Sequence, residues 1–139
     1  MTPIEVARVF VEAINSGDAD RLADLMTEDH TFVDSDGSEH SGRYDMRRGW
    51  ADYYSMVPDF RIRVQHEASG DDVVALFGVA EGTFADKGEL KPENHWRVPA
   101  AWRVVVDGDK VAVWHLYVDP TPMVEIYGRV RSNHARKDG

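Results

Sequence analysis

The stretch "INSGDADRLADLMTEDHTFVDSDG", residues 14–37, contains the end of one predicted helix, a second short helix and a first strand. Gly17 suits the end of the first helix, because glycine accepts the left-handed conformation that often closes a helix. Asp18 can cap the second helix. The predicted apolar side of that helix consists of Leu22, Leu25 and Met26. Residues 30–34 are predicted to form a strand that runs directly into a turn.

The residues before this stretch have the pattern of an amphipathic helix. Thr2 is a good N-cap, Pro3 fits the first helical position and Glu5 completes a capping box. Apolar residues then recur at spacings of three and four, which predicts one inward-facing side. These residues are Val6, Val9, Phe10, Ala13 and Ile14.

The residues after the stretch predict a third helix and then a sheet. "GRYDMRRGWADYYSMVPD", residues 42–59, places Met46, Trp50 and either Tyr53 or Tyr54 on one helical side, and Pro58 ends it. From Phe60 onward, four long segments rich in Val and Trp predict antiparallel strands, with hairpin turns at "SGDD" and "DGDK". The stretch "PTPMVEIYGRV" predicts a closing helix.

Helices followed by a meander of strands indicate an α+β fold, with the helices on one face of a curved sheet. The late strands carry large apolar residues on both faces, so we expect the outer face to form a homodimer contact. One domain is predicted over residues 1–128. Residues 129–139 form a basic segment that we expect to be a disordered tail.

The composition excludes several classes of function. The 139 residues include no Cys, which excludes thiolate catalysis and disulfides. A formal net charge of −9 opposes nucleic acid and anionic membranes as partners. No apolar run approaches the roughly 20 residues of a membrane span, and the first ten residues lack the features of a signal peptide. We therefore expect a cytoplasmic protein.

The order and spacing of four segments give the chain a family resemblance. They are residues 14–37, "SGRYDMRRGWADYYSMVPD", "PAAWRVVVDGDKV" and "WHLYVD". Over about residues 4–127, the chain resembles the SnoaL-like domain proteins of the nuclear-transport-factor-2-like superfamily, whose members include ketosteroid isomerases, polyketide cyclases, dehydratases and epoxide hydrolases. The resemblance implies a cone of helices and curved sheet around a deep apolar pocket. It also implies proton transfer beside a carbonyl without metal or cofactor.

Asp34 is the main catalytic candidate. "TFVDSDGSEHSG" resembles the ketosteroid isomerase segment that carries the catalytic aspartate, and Asp34 falls on that residue. Phe32 and Asp34 share one face of the strand, so an inward Phe32 would place Asp34 in the cavity. The alternative is an aspartate that starts a turn by bonding nearby amides.

The oxyanion hole of ketosteroid isomerase does not carry over to this chain. According to the resemblance, the positions of its tyrosines are occupied here by Phe10, Met26 and Trp50. The position of its second acid falls at or beside Ala101. None of these side chains can polarise a carbonyl in the same way. The chain is therefore not expected to be a ketosteroid isomerase.

Three further polar residues have two interpretations each. Arg103 either binds an anionic group in the cavity or lies on the outer face: a two-residue turn at "DGDK" would place it on the face of Trp114, and a three-residue turn would place Trp102 there. His115 is either a partner of Asp34 or a dimer-contact residue. His95 either reaches the mouth of the cone or is exposed.

The predicted function is that of a small-molecule pocket protein. It would be either a cofactor-free isomerase, cyclase or dehydratase, with Asp34 assisted by Arg103 or His115, or a non-catalytic binding module or structural dimer. The expected ligand is apolar or aromatic. No metal is expected, since the acids and His40 in the loop after Asp34 match no zinc or calcium template. The predicted ligand-binding residues are Phe10, Phe32, Trp50, Tyr54, His95, Trp102 and Trp114.

Overall fold

A computed structural model describes residues 1–138 and, for residues 134–138, the backbone only. The helices are α1 (Pro3–Ser16), α2 (Ala19–Ala23), α3 (Arg43–Met56) and α4 (Thr121–Asp138), with a short 3₁₀ turn at Pro92–Asn94. The strands are β1 (Met26–Val33), β2 (Glu39–Ser41), β3 (Arg61–Gly70), β4 (Val73–Thr83), β5 (His95–Asp107) and β6 (Lys110–Val118).

The six strands form one sheet in the order β2-β1-β6-β5-β4-β3. β1 and β6 are parallel, and all the other neighbouring pairs are antiparallel. The apolar sides of α1 and α3 pack with the inner face of the sheet in one core. The predicted α+β class, with helices on one face of a curved sheet, is confirmed.

The predicted helix ends are also confirmed. The Thr2 hydroxyl accepts a hydrogen bond from the Glu5 amide at 3.2 Å, and Gly17 closes α1 with φ +70°. The Asp18 carboxylate accepts bonds from the amides of Asp20 and Arg21. These bonds are made within a few residues of the chain, which is why the sequence predicts them well.

The first strand is longer than predicted, because β1 begins at Met26 and not at residue 30. Met26 pairs with Val111 of β6, and the Val111 amide donates to the Leu25 carbonyl at 2.8 Å. Met26 therefore belongs to the sheet, and α2 ends at Ala23. The cause is a strand 85 residues further along the chain, which no local pattern reports.

The hairpin between β5 and β6 decides which residues face inward. Its turn has two residues, with Asp107 opposite Lys110, but the register shifts by one between Val105 and Val106. Beyond this bulge, Val104 lies opposite Trp114 and Arg103 opposite His115. The expectation that a two-residue turn would place Arg103 on the face of Trp114 is therefore wrong, because a bulge moves every later residue to the other face.

The described part of the basic segment that begins at residue 129 continues helix α4. α4 continues to Asp138, and residue 139 lies outside the described residues. Val130 is only 6% exposed, and the Arg129 guanidinium donates to the Glu93 carbonyl at 2.6 Å. These contacts with the 3₁₀ turn hold the start of the basic segment.

His30 is a buried titratable group in the core, with 0% of its surface exposed. Its Nδ1 lies 2.7 Å from the Val111 carbonyl oxygen, so Nδ1 carries the proton and donates. Nε2 is buried with no hydrogen-bond partner among the described residues. Burial lowers the pKa of His30, although the bond to Val111 opposes this.

We predict that His30 makes the protein less stable in mild acid. The unfolded chain takes up a proton near the ordinary histidine value of about 6.5, whereas the folded chain resists it. The stability that neutral His30 contributes is therefore complete above pH 6.5 and lost as the pH falls towards its lowered pKa. Urea unfolding between pH 7.5 and 5 should show this fall, and His30→Met should flatten it.

The matched control for that prediction is His66→Met, because His66 is exposed. It should leave the pH dependence unchanged. Some slope will remain in His30→Met, since burial and the charge of Arg103 also lower the pKa of His115. An identical slope in wild type and His30→Met would contradict the prediction.

Candidate functional site

A cavity of about 580 Å³ lies between α3 and the inner face of the sheet. Eight aromatic side chains line it: Phe32, Trp50, Tyr53, Phe60, Phe84, Trp96, Trp102 and Trp114. The polar side chains in its lining are Asp34, Ser35, His40, Ser41 and Asp45. From the start of α4, Met123 also contributes.

The aromatic rings pack against one another in the wall of the cavity. Trp102 and Trp114 are stacked across β5 and β6, with ring centroids 6.0 Å apart. On the helical side, Tyr53 meets Phe60 edge to face at 5.1 Å and Trp50 at 6.1 Å. Such pairs favour fixed geometries, so the cavity has a defined apolar shape.

Asp34 follows β1 directly, and both interpretations of this residue, as the start of a turn and as a cavity residue, apply to it. It starts a turn, in which its amide donates to the Ser38 carbonyl at 2.9 Å and its carbonyl accepts from the Gly37 amide at 2.9 Å. It also lines the cavity together with Phe32, as the period of two in a strand predicts. The turn and the cavity are therefore not alternatives.

The two carboxylate oxygens of Asp34 differ in their surroundings. Oδ1 accepts from the Ser35 amide at 2.7 Å and from the Ser35 hydroxyl at 3.5 Å. Across the described side chains, Oδ2 has no donor, and no Lys or Arg forms an ion pair with Asp34. Ser35 thus orients the carboxylate and leaves one oxygen available to a ligand.

Tyr53 is a polar cavity residue that the sequence analysis missed. Burial raises the pKa of Tyr53, and the nearby charge of Asp34 raises it further, so the phenol stays protonated. The helical spacing placed either Tyr53 or its neighbour on the inward side, three or four residues after Trp50. No signal in the sequence separates the two, because both spacings lie on one side of a helix.

Tyr54, the residue predicted from that pair, has a structural role. Its hydroxyl donates to the Ile14 carbonyl at 2.6 Å and so ties α3 to the end of α1. Its ring packs on Trp50 at 5.7 Å, but it does not belong to the cavity lining. It supports the wall from behind.

Two of the three catalytic candidates lie away from the cavity. Arg103 and His115 are opposite each other on the outer face of the sheet. The His115 ring stacks on Tyr117 at 4.1 Å, and Nδ1 lies 3.1 Å from the Tyr117 hydroxyl. Of the predicted catalytic set, only Asp34 lines the cavity.

The predicted ligand-binding residues divide in the same way. Phe32, Trp50, Trp102 and Trp114 line the cavity. Phe10 lies behind Trp114 in the core, with ring centroids 5.0 Å apart. His95 lies outside the lining; its Nδ1 is 2.9 Å from the Thr83 hydroxyl, and its Nε2 is 3.6 Å from Glu81.

A family model identifies the fold. The model of the SnoaL-like domain matches residues 7–114, which is more than half of the chain. The chain belongs to the SnoaL-like domain family. The resemblance seen in the sequence is thereby confirmed. No curated protein matches this SnoaL-like domain.

Solved structures similar to this SnoaL-like domain have several roles. One, from Catenulispora acidiphila, is a hypothetical protein of ketosteroid isomerase-like fold in complex with trimethylamine; it is 20% identical, the match covers 89% of this chain and 92% of that one, and the TM-score is 0.75. A provisionally assigned polyketide cyclase from Streptomyces antibioticus is 21% identical; the match covers 92% of this chain and 99% of that one, and the TM-score is 0.74. An epoxide hydrolase of M. tuberculosis is 13% identical; the match covers 97% of this chain and 96% of that one, and the TM-score is 0.74.

At these identities the similarity establishes a shared fold only, so the chemistry has to be argued from the residues of the site. Within the described part of the chain, no group of three acidic or histidine side chains is arranged to hold a metal ion. None of the described helices combines the length and the apolar character needed to cross a membrane.

Proposed function

We propose that this SnoaL-like domain binds an apolar, carbonyl-containing small molecule in its cavity and moves a proton on it with Asp34, as a cofactor-free isomerase, cyclase or dehydratase. The observation that supports this proposal is the position of Asp34, a carboxylate with one unbonded oxygen in a cavity of aromatic rings. The trimethylamine complex of the Catenulispora protein supports a small ligand as the occupant.

The proposed chemistry is general acid–base catalysis. Oδ2 of Asp34 would take a proton from the carbon beside the ligand carbonyl and return it elsewhere on the ligand. Negative charge would then develop on the carbonyl oxygen. Tyr53, which stays protonated because its pKa is raised, would donate a hydrogen bond to that oxygen. Tyr53 replaces Arg103 and His115 in this role, since both lie outside the cavity lining.

The alternative is a binding module without turnover. It is favoured by Phe10 and Met26, which the resemblance places at tyrosine positions of ketosteroid isomerase and which are fully buried. A purely structural dimer with a filled cone is less well supported, because the cavity has room for a ligand of moderate size.

Asp34→Asn should abolish proton transfer while the cavity still binds ligand. A suitable probe is 2-tetralone, a flat ketone with acidic protons beside its carbonyl, whose exchange in D₂O is followed by NMR. We expect the wild type to accelerate exchange, Asp34→Asn to lose roughly 10²–10⁴-fold of that acceleration, and Tyr53→Phe to lose roughly 10²-fold.

The matched control is Asp36→Asn, which changes an acid of the same turn that does not line the cavity. It should retain the wild-type rate. Thermal-shift measurements with 2-tetralone separate binding from chemistry, because a bound ligand stabilises the fold by mass action. If the ketone binds and the wild type does not accelerate exchange, the binding module is the better account.

We also propose that the outer face of the sheet forms a homodimer contact. Phe77, Ala101 and Tyr117 lie side by side on β4, β5 and β6. Phe77 is 49% exposed and Tyr117 is 48% exposed. A row of apolar side chains across three central strands is better covered than left in water, and a second copy presents the same row by two-fold symmetry.

Phe77→Glu should convert the dimer to a monomer, since it would place two carboxylates within one apolar contact. Sedimentation velocity at micromolar concentration measures the change. Tyr44→Glu is the control, because Tyr44 lies on α3 and is 68% exposed. A monomeric wild type would remove the dimer proposal without affecting the cavity.

A further inference from the structure

The cavity has an uneven balance of charge. Asp34 and Asp45 belong to its lining, whereas no Lys or Arg does. Asp45 lies at the exposed rim and is paired with Arg48 at 2.6 Å, so its charge is largely offset. The charge of Asp34 has no such partner within residues 1–133, whose side chains are described.

The aromatic walls add to the same preference. The face of an aromatic ring carries partial negative charge and attracts a cation within about 6 Å of its centroid, most strongly when the ring belongs to tryptophan. All four tryptophans of the chain line the cavity. No guanidinium or ammonium of the described lining satisfies these ring faces.

We propose that the cavity selects a cationic ligand, an alkylammonium compound whose charged head lies beside Asp34 and against the aromatic rings. The inference concerns the charge of the ligand and goes beyond the proposed reaction; it shares with the proposed function only the use of this cavity as the ligand site.

The aromatic rings that line the cavity with Asp34 support the proposal of a cationic ligand. Tyr53 lines the cavity together with Asp34, and its ring meets Trp50 and Phe60. A cation near Oδ2 of Asp34 would therefore have aromatic surface beside it. An anionic ligand would meet the carboxylate without any compensating positive side chain in the lining, and its desolvation would be costly.

The test uses three probes of similar size that differ in charge: phenyltrimethylammonium, its neutral isostere tert-butylbenzene, and benzoate. Tryptophan fluorescence reports binding, since every tryptophan lines the cavity. At pH 8 we expect phenyltrimethylammonium to bind roughly 10-fold more tightly than tert-butylbenzene. Benzoate should bind least.

Asp34→Asn should reduce the preference for the cation to a few-fold, whereas Asp45→Asn should preserve most of it because Asp45 is already paired. Equal or tighter binding of tert-butylbenzene, tighter binding of benzoate, or no binding of the cation at millimolar concentration would overturn the inference. The proton-exchange assay with a neutral ketone is independent of this result, so either proposal can fail while the other stands.

Discussion

Gly78→Ala is expected to destabilise the protein by more than about 3 kcal/mol. A Cβ at this position would lie 1.9 Å from the Arg63 carbonyl oxygen and 3.0 Å from the Val64 Cα. These are backbone atoms of β3, at the place where its register against β4 shifts. They cannot move away without separating the edge strand β3 from β4, so the strain is retained or the ladder breaks.

Urea unfolding monitored by tryptophan fluorescence measures this effect. Gly128→Ala is the matched control, because Gly128 lies in α4 and a Cβ there would meet nothing within 4 Å. In a helix the same substitution should be neutral or stabilising by roughly 0.5–1 kcal/mol. A Gly78→Ala midpoint close to that of the wild type would show that the bulge relaxes easily.

Phe10→Ala is expected to cost about 3–5 kcal/mol of stability. Phe10 is 0% exposed, and its ring centroid lies 5.0 Å from Trp114 and 5.9 Å from His30. Its removal leaves a void between α1 and the sheet, because closely packed neighbours relax only partly into such a space. The same unfolding assay applies.

Two comparisons make the Phe10 result informative. Tyr44→Ala removes an exposed ring and should change stability by less than about 0.5 kcal/mol. Phe10→Leu should lie between wild type and Phe10→Ala, because it retains part of the buried volume. A small stability loss in Phe10→Ala together with weakened ligand binding would instead support the role in ligand binding predicted from the sequence.

The site shows where sequence reasoning is reliable. Phe32 and Asp34 share a face because side chains alternate along a strand, and both line the cavity. Trp50 and Trp114 were also expected there, since they recur on the apolar sides of a helix and a strand. In each case the pattern lies within one element, so a single period is enough to predict it.

The errors all concern contacts between elements. The sequence left open whether Arg103 or Trp102 shares the face of Trp114, and one bulge beside the hairpin turn decides for Trp102. Tyr54 was expected in the cavity, but its hydroxyl bonds to the Ile14 carbonyl of α1. Met26 joins the sheet because β6 pairs with it. Each depends on a partner distant along the chain.

The sequence by itself determined the helix caps, the order of helices and strands and the α+β class, because local hydrogen bonding and short-range periodicity encode them. The order and spacing of four segments also carried the resemblance to the SnoaL-like domain family. Only the tertiary structure decided which side chains surround the cavity. A one-residue shift in strand register reverses the faces of all later residues, and such a shift is set by packing between strands that the local sequence does not contain.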